Sequence, residues 1–123
     1  MFFRRMQRRV AAELRARLGE ASILAIEERA NGFGVESGGP FQVRGNGCLA
    51  LTDDELVFLM WLPRRELRIL RSAITGVERT RWHLGKTMGR ELLRVRFQNE
   101  AGQSDSAAFL VGDLPMWEAL LAD

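Results

Sequence analysis

The sequence is short of the residues that build metal, disulfide and acid–base sites. It holds one cysteine, one histidine and no tyrosine in 123 residues. A lone Cys48 cannot close an internal disulfide, which sets the expectation of a reducing, cytoplasmic compartment. A lone His83 has no second imidazole and no nearby thiol to share a metal with, so neither a metal nor another cofactor is expected. The longest apolar run, Leu56 to Leu62, falls far short of the ~20 residues that a spanning helix needs, and no transmembrane segment is expected. The Arg-rich start leads into no apolar stretch of the secretory-signal kind. What is present is an ordinary globular mixture, 46% apolar and 28% charged, in a chain long enough for one core.

The formal charge of +2 conceals an asymmetry. Residues 1–18 carry six arginines against the single acid Glu13, so the excess positive charge sits in one arm and the body is mildly acidic. That distribution points to an anionic partner for the arm. Phe3, Met6, Val10, Leu14 and Leu18 recur in steps of three and four, the stripe of an amphipathic helix that Gly19 would end. Arg15 and Arg17 suit the dipole of such a helix, whereas Arg4 and Arg5 in its first turn oppose it. Three uses of the arm follow. Its stripe docks on the domain or on a second copy of it. Alternatively Phe2, Phe3 and Met6 insert among lipids while Arg4, Arg5, Arg8 and Arg9 meet anionic headgroups, at ~1 kcal/mol each. A third is contact with another acidic partner, and the remaining alternative is an arm that stays disordered.

Beyond Gly19 the period shortens to that of strands. Ile23 to Arg29 reads as a strand and is followed by a loose Gly-rich stretch through Asn31-Gly-Phe-Gly34 and Ser37-Gly-Gly-Pro40. Cys48 to Thr52 and Leu56 to Trp61 form a hairpin about Thr52-Asp-Asp-Glu55. Glu66 to Leu70 follows with Leu67 and Ile69 inward, then Ile74 to Trp82 with a bend at Gly76, then a loop over 83–90. Leu93, Val95 and Phe97 alternate with Arg94 and Arg96 as a half-buried strand, and Ser104 to Val111 closes the set. Asp113 and Pro115 open a short helix whose apolar face, Trp117, Leu120 and Leu121, covers an open end of the sheet. The expected organisation is an Arg-rich helix over 1–19 and a mainly β (α+β) domain over 20–123.

About seven antiparallel strands and a C-terminal helix is the element order of the pleckstrin-homology (PH-like) superfold. Gly47-Cys-Leu-Ala-Leu-Thr-Asp-Asp-Glu-Leu-Val-Phe58 resembles the G-x-L-x-x-T-x-x-x-L-x-F hairpin of its GRAM branch, and Arg65-Glu-Leu-Arg-Ile-Leu-Arg-Ser-Ala-Ile74 is similar to the segment that follows. The resemblance covers roughly residues 20–122. It implies an antiparallel β-barrel capped by the last helix, with the N-terminal helix as an addition. It implies also a non-catalytic binding or adaptor module for a lipid surface or protein partner. Phosphoinositide-binding members of the superfold carry K-x(n)-R-x-R on the first hairpin. The tip taken for that hairpin here reads Asp53-Asp54-Glu55, three acids where a phosphate needs cations.

Gly85-Lys86-Thr87 lacks the earlier glycine and following helix of a phosphate-binding loop, and Asp53-Asp54-Glu55 reads as a turn rather than a calcium site. His83 is expected on a surface loop, and Cys48 as a strand residue without an activating base. Arg64, Arg65, Lys86 and Arg90, with Arg94 and Arg96, would make a basic patch if their loops converge. No aromatic side chains interleave them, so nucleic acid is not an expected partner. A self-associating structural module, with the N-terminal helix as an oligomer interface, is the alternative reading.

Overall fold

The computed structural model describes residues 2–38, 44–61, 64–83 and 89–122, without the side chains of residues 2 and 3. Helix α1 (Phe2–Leu18) precedes seven strands: β1 (Ile23–Val35), β2 (Gly45–Thr52), β3 (Glu55–Trp61), β4 (Arg64–Leu70), β5 (Ile74–Thr80), β6 (Leu92–Gln98) and β7 (Ser104–Leu110). Helix α2 (Leu114–Leu121) follows them. Every pairing is antiparallel, and the strands lie in the order β4-β3-β2-β1-β7-β6-β5. Successive strands pair everywhere except between β4 and β5, and β1 joins the two halves by pairing with both β2 and β7.

The sheet is curled but not closed into the expected barrel. Its edges are β4 and β5, and no ladder joins them among the described residues. The three-residue 3₁₀ turn Arg71–Ala73 redirects the chain between them instead of folding it back as a hairpin, so β5 pairs with β6 alone. Curling brings the concave faces of both halves into one core. Leu49, Leu51 and Phe58 meet Leu93, Val95 and Phe109 there, and the Phe58 and Phe109 rings stand 5.2 Å apart.

Two further expectations are corrected. The Gly-rich stretch Asn31 to Gly34 is not loose, because β1 runs through it to Val35. Glycine is required where Phe58 packs: a Cβ on Gly32 would stand 2.6 Å from the ring, and one on Gly47 2.7 Å. Since β1 and β2 make the first hairpin, Asp53-Asp54-Glu55 turns the second, where the Thr52 hydroxyl accepts from the N–H groups of Asp54 and Glu55. The acidic tip therefore carries no information about the first hairpin, and residues 39–43 of that connection lie outside the described residues.

β3 shows why alternation is weak in part of the chain. Leu56, Phe58 and Met60 face the concave core, while Val57, Leu59 and Trp61 lie beneath α1, so both faces are buried. Met6, Val10, Ala11, Leu14 and Leu18 of α1 pack on that outer face together with Cys48 and Ala50. Gly19, at φ 81°, ends the helix and donates to the Arg15 carbonyl. At the other end of the chain, the Asp113 carboxylate caps α2 by accepting from Met116 N–H at 3.2 Å. Arg71 donates to the Leu120 carbonyl at 2.9 Å, a cation at the helix C-terminus.

Asp105 ties β7 to the turn after β1. Burial favours its neutral form, but hydrogen bonds from Ser37, Ser106 N–H and Asn99 outweigh that and hold the carboxyl below its ordinary 3.8. A depressed folded-state pKa means stability gained above the unfolded value and lost as pH falls through the folded one. Asp105→Asn is therefore expected to cost about 1–2 kcal/mol in urea melts at pH 7, with the difference shrinking near pH 2. An equal cost at both pH values would contradict the charged-acceptor role.

Candidate anion-binding surface on the N-terminal helix

The six arginines of α1 divide into two groups. Those of the last turn are spent on docking. Arg15 reaches Glu20 at 3.1 Å and Glu28 at 3.0 Å, and Arg17 forks onto both carboxylate oxygens of Glu66 at 2.6 and 2.8 Å. Glu13 completes the contact by accepting from Arg64 at the start of β4. Arg17 and Arg64 accordingly hold Glu66 and Glu13 below the usual carboxylate range.

Arg4, Arg5, Arg8 and Arg9 are all exposed and make no ion pair among the described residues. The pairs Arg4–Arg8 and Arg5–Arg9 are four apart, where like charges repel along a helix. No acid occupies the first turn, and all four charges lie toward the positive end of the macrodipole. β1 adds Arg29, also exposed and without an ion pair among the described residues. Arg4, Gln7, Arg8, Glu28 and Arg29 line a cleft of about 210 Å³ between helix and strand. Glu28 is the only acid in that lining, and it is engaged by Arg15.

The expected insertion of Phe2, Phe3 and Met6 fares differently. The side chains of Phe2 and Phe3 lie outside the described residues, while Met6 is partly buried against the sheet. The second expected patch is not assembled as one surface among the described residues. Arg64 and Arg65, consecutive on β4, point to opposite faces, and Arg64 is paired with Glu13. Arg94 and Arg96 both turn to Glu78, Arg90 is exposed, and Lys86 lies outside the described residues. Arg29 gave no signal in the sequence, because the bulged register of β1 between Glu27 and Ala30 hides which face it takes.

His83 is not on the surface, as the sequence suggested, but buried, with Nε2 2.8 Å from the Gly34 carbonyl. The partner is distant in sequence: the chain forms an isolated bridge at His83, and the carbonyl of Gly34, which sits at φ 99°, meets the imidazole. Cys48 lies under α1, and burial pushes its thiol up to about 12, so it is not a thiolate at neutral pH. No three His, Cys, Asp or Glu side chains gather as a metal set among the described residues, and no described helix is long and apolar enough to cross a membrane.

No family model matches the chain, and no curated protein matches it. A solved structure, the C-terminal domain of an unknown protein from Leishmania infantum, is similar over 92% of this chain and 95% of that one, with a TM-score of 0.56 and 13% identity. At that identity the likeness concerns the fold alone.

Proposed function

We propose that the chain is a non-catalytic binding module of PH-like (GRAM) type that meets an anionic membrane surface with Arg4, Arg5, Arg8 and Arg9. The observation that carries this reading is the division of the α1 arginines: two are neutralised by acids of the domain, and four stand exposed on two turns against the dipole. The strand order and terminal helix support the module type. With Met6, Val10, Leu14 and Leu18 packed on the sheet, that stripe is spent on docking and the adhesion proposed is the electrostatic one of the arginines. At ~1 kcal/mol per arginine, four supply about 4 kcal/mol, enough for reversible recruitment to a cytoplasmic leaflet.

Co-sedimentation of the full chain with phosphatidylserine-containing vesicles at low salt tests this. The variant R4Q/R5Q/R8Q/R9Q is expected to partition about a thousandfold less well, and pure phosphatidylcholine vesicles to retain neither protein. Equal partitioning of parent and variant, or no retention of the parent, overturns the proposal. Deleting the helix is a poorer test, since it uncovers Val57, Leu59 and Trp61. The alternative of self-association draws on the same apolar stripe, which in the docked chain is available only by exchange between copies. Light scattering of the intact chain separates the two readings.

A further inference from the structure

Arg65 occupies a position that the strand pattern assigns to the core. The β3–β4 register pairs Leu56 with Ile69, Phe58 with Leu67 and Met60 with Arg65. Leu56, Phe58, Met60, Ile69 and Leu67 all belong to the concave apolar core, so Arg65 points to the same face at the last rungs of the ladder. Its outward neighbours are each satisfied: Arg64 by Glu13, Glu66 by Arg17 and Arg68 by Glu55. Arg65 itself is exposed and makes no ion pair or side-chain hydrogen bond among the described residues.

Beside it the concave face opens into a cavity of about 350 Å³, walled by Val35, Phe58, Met60, Leu67, Ala107 and Phe109. Besides Val35, β1 adds Gly32 and Gly34 there, and no described residue of α2 lines it. Glu66 reaches the rim, but its carboxylate is held by both guanidinium nitrogens of Arg17. A chamber whose side-chain walls are apolar, with one unspent guanidinium at its mouth, matches a molecule with an apolar body and a single anionic end. At the ~30 Å³ that a water-sized atom takes in a liquid, the volume accepts roughly a dozen non-hydrogen atoms, the size of a ten-carbon carboxylate.

We infer that the concave face of the sheet binds a medium-chain carboxylate, its chain against Phe58, Met60, Leu67 and Phe109 and its head on Arg65. A neutral apolar ligand would leave the guanidinium unmatched, and a polyphosphorylated headgroup would leave the aromatic walls unmatched. The inference rests on no part of the membrane reading, because the helix arginines and this cavity share no lining residue.

Isothermal titration of decanoate into the full chain, below the concentration at which it forms micelles, is the test. Saturable binding at one site is expected, with decyltrimethylammonium giving none. R65Q, a change at an exposed position, is expected to weaken decanoate about tenfold or more. L67W fills the chamber and is expected to abolish binding, while R4Q/R5Q/R8Q/R9Q retains it. No saturable heat, equal affinity in R65Q, or loss of binding in the helix variant overturns the inference.

Discussion

Trp117→Ala is expected to lower the unfolding free energy by about 3–5 kcal/mol, the range for emptying a large aromatic site in a core. Trp117 has no exposed surface and is among the largest fully buried side chains of the protein. α2 spans eight residues, too short to hold itself as a helix in water, so its docking depends on Trp117 and Leu121. Against a total of about 5–15 kcal/mol for a domain, such a loss leaves little margin. The indole Nε1–H moderates the cost, because it is buried without a hydrogen-bond partner among the described residues. Trp117→Phe, which keeps an aromatic ring and removes that orphan donor, is accordingly expected to cost far less than the alanine change. Urea unfolding followed by circular dichroism measures both. A W117A loss under about 1 kcal/mol would mean that α2 does not stopper the sheet.

Leu14→Asp has the second large effect, and it separates helix docking from folding of the sheet. Leu14 is fully buried at the middle of the α1 stripe, among Val57, Leu59 and Cys48. A carboxylate placed there has no partner in that cluster, and the cost of burying it, about 4 kcal/mol or more, exceeds what docking returns. The ion pairs Arg15–Glu28 and Arg17–Glu66 are partly exposed and cannot compensate. Release of α1 is the expected outcome. Trp61, 5% exposed in the docked state, would then meet water and its fluorescence would shift to the red. The freed β3 face would self-associate, and trypsin would cut at Arg15 and Arg17. A monomeric, trypsin-resistant L14D protein with unshifted fluorescence would refute the docked arrangement.

These two substitutions mark how much of the architecture was readable beforehand. The α1 stripe, the Gly19 stop, the Asp113 cap and the strands with one wet face were legible because each follows from a local period or a local hydrogen bond. β4 and β6 alternate because solvent lies on their outer sides. β3 does not, since α1 covers it from far away in sequence. The burial of His83 depends on a carbonyl 49 residues distant, which no local pattern encodes. Arg65 was legible in principle, by its parity with Leu67 and Ile69, but a charge on an inward position has meaning only once a cavity is seen beside it.

By itself the sequence determined the element types, their order and the amphipathic faces, because these depend on neighbours within a turn or two of backbone. Only the tertiary structure decided that the sheet stays open, that α1 spends its apolar stripe on β2 and β3, and which arginines remain free. The physical reason is that a charge is neutralised, and a face made dry, by whatever the chain brings to it in space. Identical arginine side chains on one helix, Arg9 and Arg17 among them, therefore differ in role according to whether a carboxylate of the sheet lies within reach.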